Sequence, residues 1–157
     1  MDWKQIKATL ALRLFSWRYI PLIGFCAPRI ETLNERELAV QIPLGWRTRN
    51  HLGSMYFGAL AIGADLAGGL LVLDKGRRRQ RKVHFAFKDV AGDFLRRPEA
   101  AVRFYCAAGE TIDQMIEESL TQGQRINRPI EIIATCPSIS GDEPMARFTL
   151  TLSLKAS

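Results

Sequence analysis

The chain has 157 residues, 47% hydrophobic and 24% charged, values of a globular domain with a core of its own that exclude a disordered polyelectrolyte. Its net charge of +6 points to an anionic partner without separating nucleic acid, acidic lipid and a phosphorylated small molecule. Cys26, Cys106 and Cys136 are odd in number and lack C-x-x-C spacing, so they imply neither a disulfide framework nor a zinc site, and reduced thiols in a cytoplasmic setting are expected.

The opening stretch, MDWKQIKATLALRLFSWRYIPLIGF, is interrupted by Arg13 and Arg18 and followed by no small-residue cleavage site, which predicts a retained helix over residues 1–20 rather than a leader. Ile6, Leu10, Leu14 and Trp17 recur at helical spacing, with Lys4, Lys7 and Arg18 outside the stripe. Such a stripe is expected to pack on the domain; weak contact with a membrane surface is the alternative. Two strands follow, Arg29 to Leu33 and Glu37 to Ile42, with Asn34 and Glu35 at the turn, and then the loop PLGWRTRNHLG. The run from Tyr56 to Leu73 is too long for a strand and lacks alternation, so a helix is expected, leading to a basic loop, KGRRRQRK.

Lys82 to Val90 and Ala100 to Ala107 read as strands, and ETIDQMIEESL reads as a second helix, with Ile112, Met115, Ile116 and Leu120 on one face. Ile130 to Cys136 is a strand rich in β-branched residues. In MARFTLTLSLK, Phe148, Leu150, Leu152 and Leu154 alternate with Arg147, Thr149, Thr151 and Ser153, one face dry and one wet, and SISGDEP makes the turn before it. No repeat or linker divides the chain, so residues 1–157 are expected to form a single α+β domain, an antiparallel sheet wrapped around the long helix. Gly58, Gly63, Gly68 and Gly69 fit that arrangement, since each costs a helix interior about 0.8–1 kcal/mol relative to alanine and close approach of the sheet would compensate.

Within GSMYFGALAIGADLAGGLLV, residues 53–72, stands one acid, Asp65. A transmembrane span is disfavoured by a central aspartate and by the strand-rich flanks. Two readings remain: a buried structural carboxylate satisfied by backbone donors or an arginine, and a catalytic one. The helical neighbours of Asp65 are Ala61 and Ile62 on one side and Gly68 and Gly69 on the other, which leaves room for water and substrate, while partial burial would raise its pKa toward that of a general base. Gly53 and Gly58 bracket the helix N-terminus, whose unpaired N–H groups can hold an oxyanion.

These residues resemble a known superfamily. The pattern N-x-x-G-x-x-H-G-G with an acid seven residues on marks hotdog-fold thioesterases of the phenylacetate-pathway type; Asn50, Gly53, Gly58 and Asp65 match it, while Tyr56 replaces the histidine and Phe57 the first glycine. The chain looks still more like the hotdog family DUF4442, on SWRYIPLIGF, RTRNHLG, the Phe57–Gly58 pair, Lys88, Phe94, Leu95 and Pro98, and the helix ETIDQMIEESL. The resemblance implies a hotdog fold, a homodimer or dimer of dimers with sites at the subunit interface, and hydrolysis of acyl-CoA or another acyl thioester. No separate cofactor is implied, coenzyme A being part of the substrate. Asp65 would be base or nucleophile, the Phe57 and Gly58 amides would polarise the carbonyl, and Asn50 would position water or substrate. Tyr56, His51 and Gly53 would border the substrate, with the Phe57 ring able to narrow the acyl pocket.

His51, fourteen residues before Asp65, also resembles the His–acid pair of hotdog 3-hydroxyacyl dehydratases, although their proline-containing signature is absent; a polar loop position is expected for it. His84 is expected to be half-buried in its strand. Arg77, Arg78, Arg79, Arg81 and Lys82 form the main cationic cluster, read either as a solvated loop or as a contact to coenzyme A phosphates, a role that Arg96 and Arg97 could share. Interleaved aromatics and a recognisable nucleic-acid module are missing, so no nucleic-acid partner is expected. Binding of acyl-CoA or a fatty acyl chain without cleavage is the non-enzymatic alternative.

Overall fold

The alternation in the last strand dictates a sheet with one dry face: Phe148, Leu150, Leu152 and Leu154 are buried while Arg147 and Thr149 are exposed. Ser153, on the outer face, is nonetheless covered, and its carbonyl accepts a hydrogen bond from Arg125 at 3.0 Å. The computed structural model describes residues 3–157. In chain order its elements are α1 (Trp3–Tyr19), α2 (Pro21–Phe25), β1 (Arg29–Leu33), β2 (Leu38–Ile42), α3 (Phe57–Arg78), β3 (Val83–Phe94), β4 (Val102–Cys106), α4 (Gly109–Gln122), β5 (Ile126–Thr135), α5 (Pro137–Ser140) and β6 (Pro144–Ala156). The strands form one antiparallel sheet in the order β1-β2-β4-β5-β6-β3. It wraps α3 in the hotdog arrangement, with α4 packed beside α3 against β5 and β6.

The core lies between α3 and the concave face of the sheet, where Leu71, Phe104, Ile132, Phe148 and Leu152 are all but inaccessible. The most apolar stretch of α3, mean hydropathy 1.6, has the length and composition of a membrane span, yet 61% of it is buried within the protein. It is the core helix of the domain.

Several boundaries differ from expectation for identifiable reasons. The helix expected to stop at Leu73 runs to Arg78, so the first half of the basic stretch is helical. Asp74 is buried and accepts from Arg77 at 3.3 Å and from Arg78 one turn on, and three cations in the last turn suit the negative end of the helix dipole. β3 continues four residues beyond Val90, bulging between Phe87 and Val90, where Asp89 accepts from Thr151 at 2.7 Å. β5 starts at Ile126, four residues earlier than expected, because the whole length of β6 is available to pair with it. His84 is exposed, not half-buried, because β3 is an edge strand whose even-numbered positions near it face outward. Overlapping the start of SISGDEP, the segment Pro137–Ser140 completes a helical turn before Gly141 turns the chain at φ +60°.

The N-terminal helix is the largest difference. Of the predicted span 1–20, residues 1 and 2 lie outside the described residues; the remainder packs on the domain by a neighbouring face, with Ile6 of the apolar stripe half-buried. Thr9, Leu12 and Ser16 are buried, while Leu10, Leu14 and Trp17 are exposed. The cause is β1, a sheet edge with unpaired backbone groups. Thr9 Oγ1 accepts from the Ile30 N–H at 3.0 Å, Gln5 Nε2 donates to the Glu31 carbonyl at 2.5 Å, and Arg13 Nε donates to the Pro28 carbonyl at 3.4 Å. A polar face was needed there, so the polar face went inward.

Candidate active site

The loop before α3 is built around Asn50. Its Oδ1 accepts from the N–H groups of Leu52 at 2.9 Å and Ser54 at 3.2 Å and from the Ser54 hydroxyl at 3.2 Å, and Gly53 closes the turn at φ +80°. That oxygen therefore serves the loop, leaving the amide nitrogen as the group Asn50 could offer a ligand. His51 is exposed on the same loop.

The chain then enters α3 through Tyr56, which is extended at φ −66° and ψ 140° and has no side-chain cap. The Tyr56 N–H donates to Thr48 O at 2.7 Å, and its carbonyl accepts from Ala59 at 2.9 Å and Leu60 at 3.1 Å. The Phe57 and Gly58 N–H groups have no acceptor among the described residues, as the first amides of a helix require unless something caps them. The Tyr56 ring folds over Gly58, where a Cβ would stand 2.5 Å from Cε1. The Phe57 ring turns toward the sheet edge and meets Phe94 edge-on, centroids 5.6 Å apart, with Phe94 meeting Phe148 at 5.6 Å in turn.

Asp65 lies two turns further along, in a recess of about 370 Å³. The walls are carbon: Leu12 and Phe15 of α1, Ile20 and Ile23 around α2, Leu66, Leu70 and Leu73 of α3, and Phe85 and Phe87 of β3. The Phe57 ring and His51 are not part of this wall, so within the protomer neither narrows the recess nor pairs with Asp65. Asp65 makes no hydrogen bond or ion pair with any described residue, so within the protomer neither a backbone donor nor an arginine satisfies it. Its side chain reaches solvent at the open end and is crowded by apolar groups elsewhere, and this loss of hydration raises its pKa above the ordinary carboxylate value. Gly58 and Asp65 share one face of α3, seven residues or about 10 Å of rise apart.

The arginines divide between the two ends of the helix. Arg79 pairs with Asp113 at 3.0 Å and with Glu117, and Lys75, itself buried, pairs with Asp113, so this end of α3 is locked to α4. Arg78 is held by Asp74. Arg77 is the freest of the three, its side chain 82% exposed, and it lines a second apolar recess that shares Leu12, Phe15, Leu70 and Leu73 with the first. At the other end, Arg96 forms a two-pronged pair with Glu143, whereas Arg97 is exposed and has no partner among the described residues. That segment abuts the start of α3 through the Met55 N–H, which donates to Pro98 O at 2.8 Å. The two groups of arginines cannot serve one phosphate within a protomer, since α3 is roughly 30 Å long.

A larger recess, about 590 Å³, opens on the outer face of the sheet, but the Glu31–Arg103 ion pair and Gln41 occupy its walls and it holds no unpaired acid. Among the described residues no three His, Cys, Asp or Glu side chains cluster closely enough to hold a metal ion. The sequence left the roof of the Asp65 recess unseen. Leu12, Phe15, Ile20 and Ile23 arrive from elements about fifty residues upstream, and only the Phe85–Phe87 alternation in β3 hinted at a wall.

The family model described as a domain of unknown function, DUF4442, matches residues 10–126. The chain belongs to the DUF4442 family. Solved structures place this DUF4442 member among hotdog folds. It superposes on a Chlorobaculum tepidum protein of unknown function, OLEI01261, with TM-score 0.81 at 15% identity, covering 96% of both chains. A Pseudomonas aeruginosa protein of unknown function, PA5026, named a probable thioesterase, gives TM-score 0.76 at 24% identity over 95% of this chain and 96% of its own. The Haemophilus influenzae thioesterase HI1161 gives TM-score 0.59 at 18% identity, over 91% and 87%. At these identities the likeness is one of fold. No protein of curated function matches the sequence.

Proposed function

We propose that this DUF4442 protein hydrolyses an acyl thioester, acyl-CoA being the expected form, with Asp65 as general base. The observation that carries the reading is an acid with no partner among the described residues, facing a recess of about 370 Å³ lined by carbon. Asp65 would take a proton from water as the water oxygen bonds to the thioester carbonyl carbon, the oxyanion being held by N–H groups of the Phe57 and Gly58 type. Collapse of the tetrahedral intermediate breaks the C–S bond, and the departing thiolate takes up the proton held by Asp65. The thioesterase names carried by PA5026 and HI1161 support the same class of reaction.

The protein works as a homodimer in this reading. β3 is twelve residues long and lies at the sheet edge with exposed Val90 and Phe94, a template for pairing with a second copy. Phe85 and Phe87 of that strand wall the Asp65 recess, so a β3-to-β3 joint would place two recesses side by side. Two copies would also bring an Asp65 near an amide pair without spanning the rise between Gly58 and Asp65 on one helix. Arg77 is the arginine best placed to meet coenzyme A phosphates, as the freest cation beside the recess. The buried, unpaired thiols of Cys26, Cys106 and Cys136 suit a reducing cytoplasm.

One second reading has a specific basis: the carbon-lined recess would hold an acyl chain whether or not it is cleaved. Thiol release from short, medium, long and aryl acyl-CoAs separates the two. Many turnovers per protein on some member are expected; stoichiometric binding to all with release from none would replace hydrolase by carrier.

A further inference from the structure

The outward face of α1 is largely exposed to solvent, with Trp17 lying partly against Gly24 of α2. Because Gln5, Thr9 and Leu12 face the domain, Trp3, Leu10, Leu14 and Trp17 face away, and Leu14 is 75% exposed. Tyr19 and Leu22 continue the apolar surface, and Trp46 joins it through an edge contact with Phe25, centroids 5.7 Å apart. All three tryptophans of the chain are exposed, two on α1 and the third against Phe25 of α2. Solitary exposed apolar residues are ordinary; a contiguous set of this kind marks a contact surface.

Charge identifies what the surface contacts. Residues 3–30 contain five Lys or Arg and no acid, in a chain whose net charge is +6, and of these Lys7 and Arg18 lie on the outward face. The cations sit against the exposed rings: Lys7 lies 5.2 Å from the Trp3 ring, Arg18 5.4 Å from Tyr19, and Arg47 5.2 Å from Trp46. Aromatic bodies at the level of lipid headgroups, with cations beside them for the phosphates, are the makeup of an interfacial helix. A second copy fits poorly, since a symmetric contact through this face would oppose the same cations with no acid between them.

We infer that the outward face of α1 and α2, with Trp46, docks reversibly on an anionic lipid surface. The inference stands on this face alone and is independent of whether Asp65 hydrolyses anything. The test uses the full chain with vesicles of equal parts phosphatidylglycerol and phosphatidylcholine, and with phosphatidylcholine alone, read by sedimentation and tryptophan emission. Co-sedimentation and a blue shift with the anionic vesicles, both weakened by added salt, are expected. The Leu10→Ser/Leu14→Ser variant should lose about tenfold in partitioning with its circular dichroism unchanged, because neither side chain is in the core. Failure of the wild type to bind, or equal binding by the variant, overturns the proposal. So does a larger species in light scattering that the variant abolishes in the absence of vesicle binding, which would give the face to a second copy.

Discussion

A methyl group on Gly63 would stand 2.3 Å from the ring of Phe104, a residue with no solvent exposure. The helix and the floor of the sheet are therefore as close there as two backbones and a ring permit. Alanine would gain about 1 kcal/mol of helix propensity at this position, but forcing the ring aside in a full core costs about 1–3 kcal/mol or more. Gly63→Ala should lower the unfolding free energy in a urea titration. Gly58→Ala should be close to neutral, because the group it meets is the exposed, movable ring of Tyr56.

Lys75 and Asp113 tie α3 to α4 at the other end. Asp113→Ala leaves the Lys75 ammonium buried without its counterion, which should cost about 3 kcal/mol. Arg79→Ala removes a partly exposed cation from the same network and should cost about 1 kcal/mol or less. Denaturant titration of the two variants checks the ranking.

The contact to coenzyme A phosphates is tested at Arg77 without disturbing that lock. Arg77→Ala should raise KM for acyl-CoA about fivefold with kcat and melting temperature unchanged, the size of one exposed charge contact. Equal KM for mutant and wild type would move the phosphate site elsewhere, Arg97 being a cation without a partner among the described residues.

The raised pKa of Asp65 has a sign that stability measurements can read. Poor hydration makes the folded chain hold this proton to higher pH than the unfolded chain does, so ionised Asp65 subtracts stability above its folded pKa and nothing below about pH 4. Asp65→Asn should therefore melt higher than wild type at neutral pH, with the difference vanishing as pH falls below about 4. The same elevation sets the activity profile, since a base acts only when ionised: kcat/KM should climb through a pKa above the usual carboxylate range.

Much of the architecture was legible because period-two and helical patterns are local. β6, α4 and the span of β1 can be read from their own residues, and the glycines of α3 announced a close sheet that Phe104, Ile130 and the β3 phenylalanines supply. What the chain hid depends on partners distant in sequence. The apolar stripe of α1 predicts an inward face; the unpaired backbone of β1 turns the helix instead by demanding Gln5 and Thr9. Lys75 reads from the sequence as the start of a basic loop because the carboxylate that buries it comes from α4. At the site, the acid was legible as an anomaly in an apolar run, whereas its lack of a partner and the roof over it were visible only once α1 and α2 were in place.

Thiol release by wild type and Asp65→Asn, run in parallel on whichever acyl-CoA the wild type turns over fastest, tests the central claim most directly. The account predicts a loss of at least about a hundredfold in kcat for the variant, the usual contribution of a positioned base, with acyl-CoA still bound and the fold intact. A variant that releases thiol at the wild-type rate would contradict it and take catalysis away from Asp65.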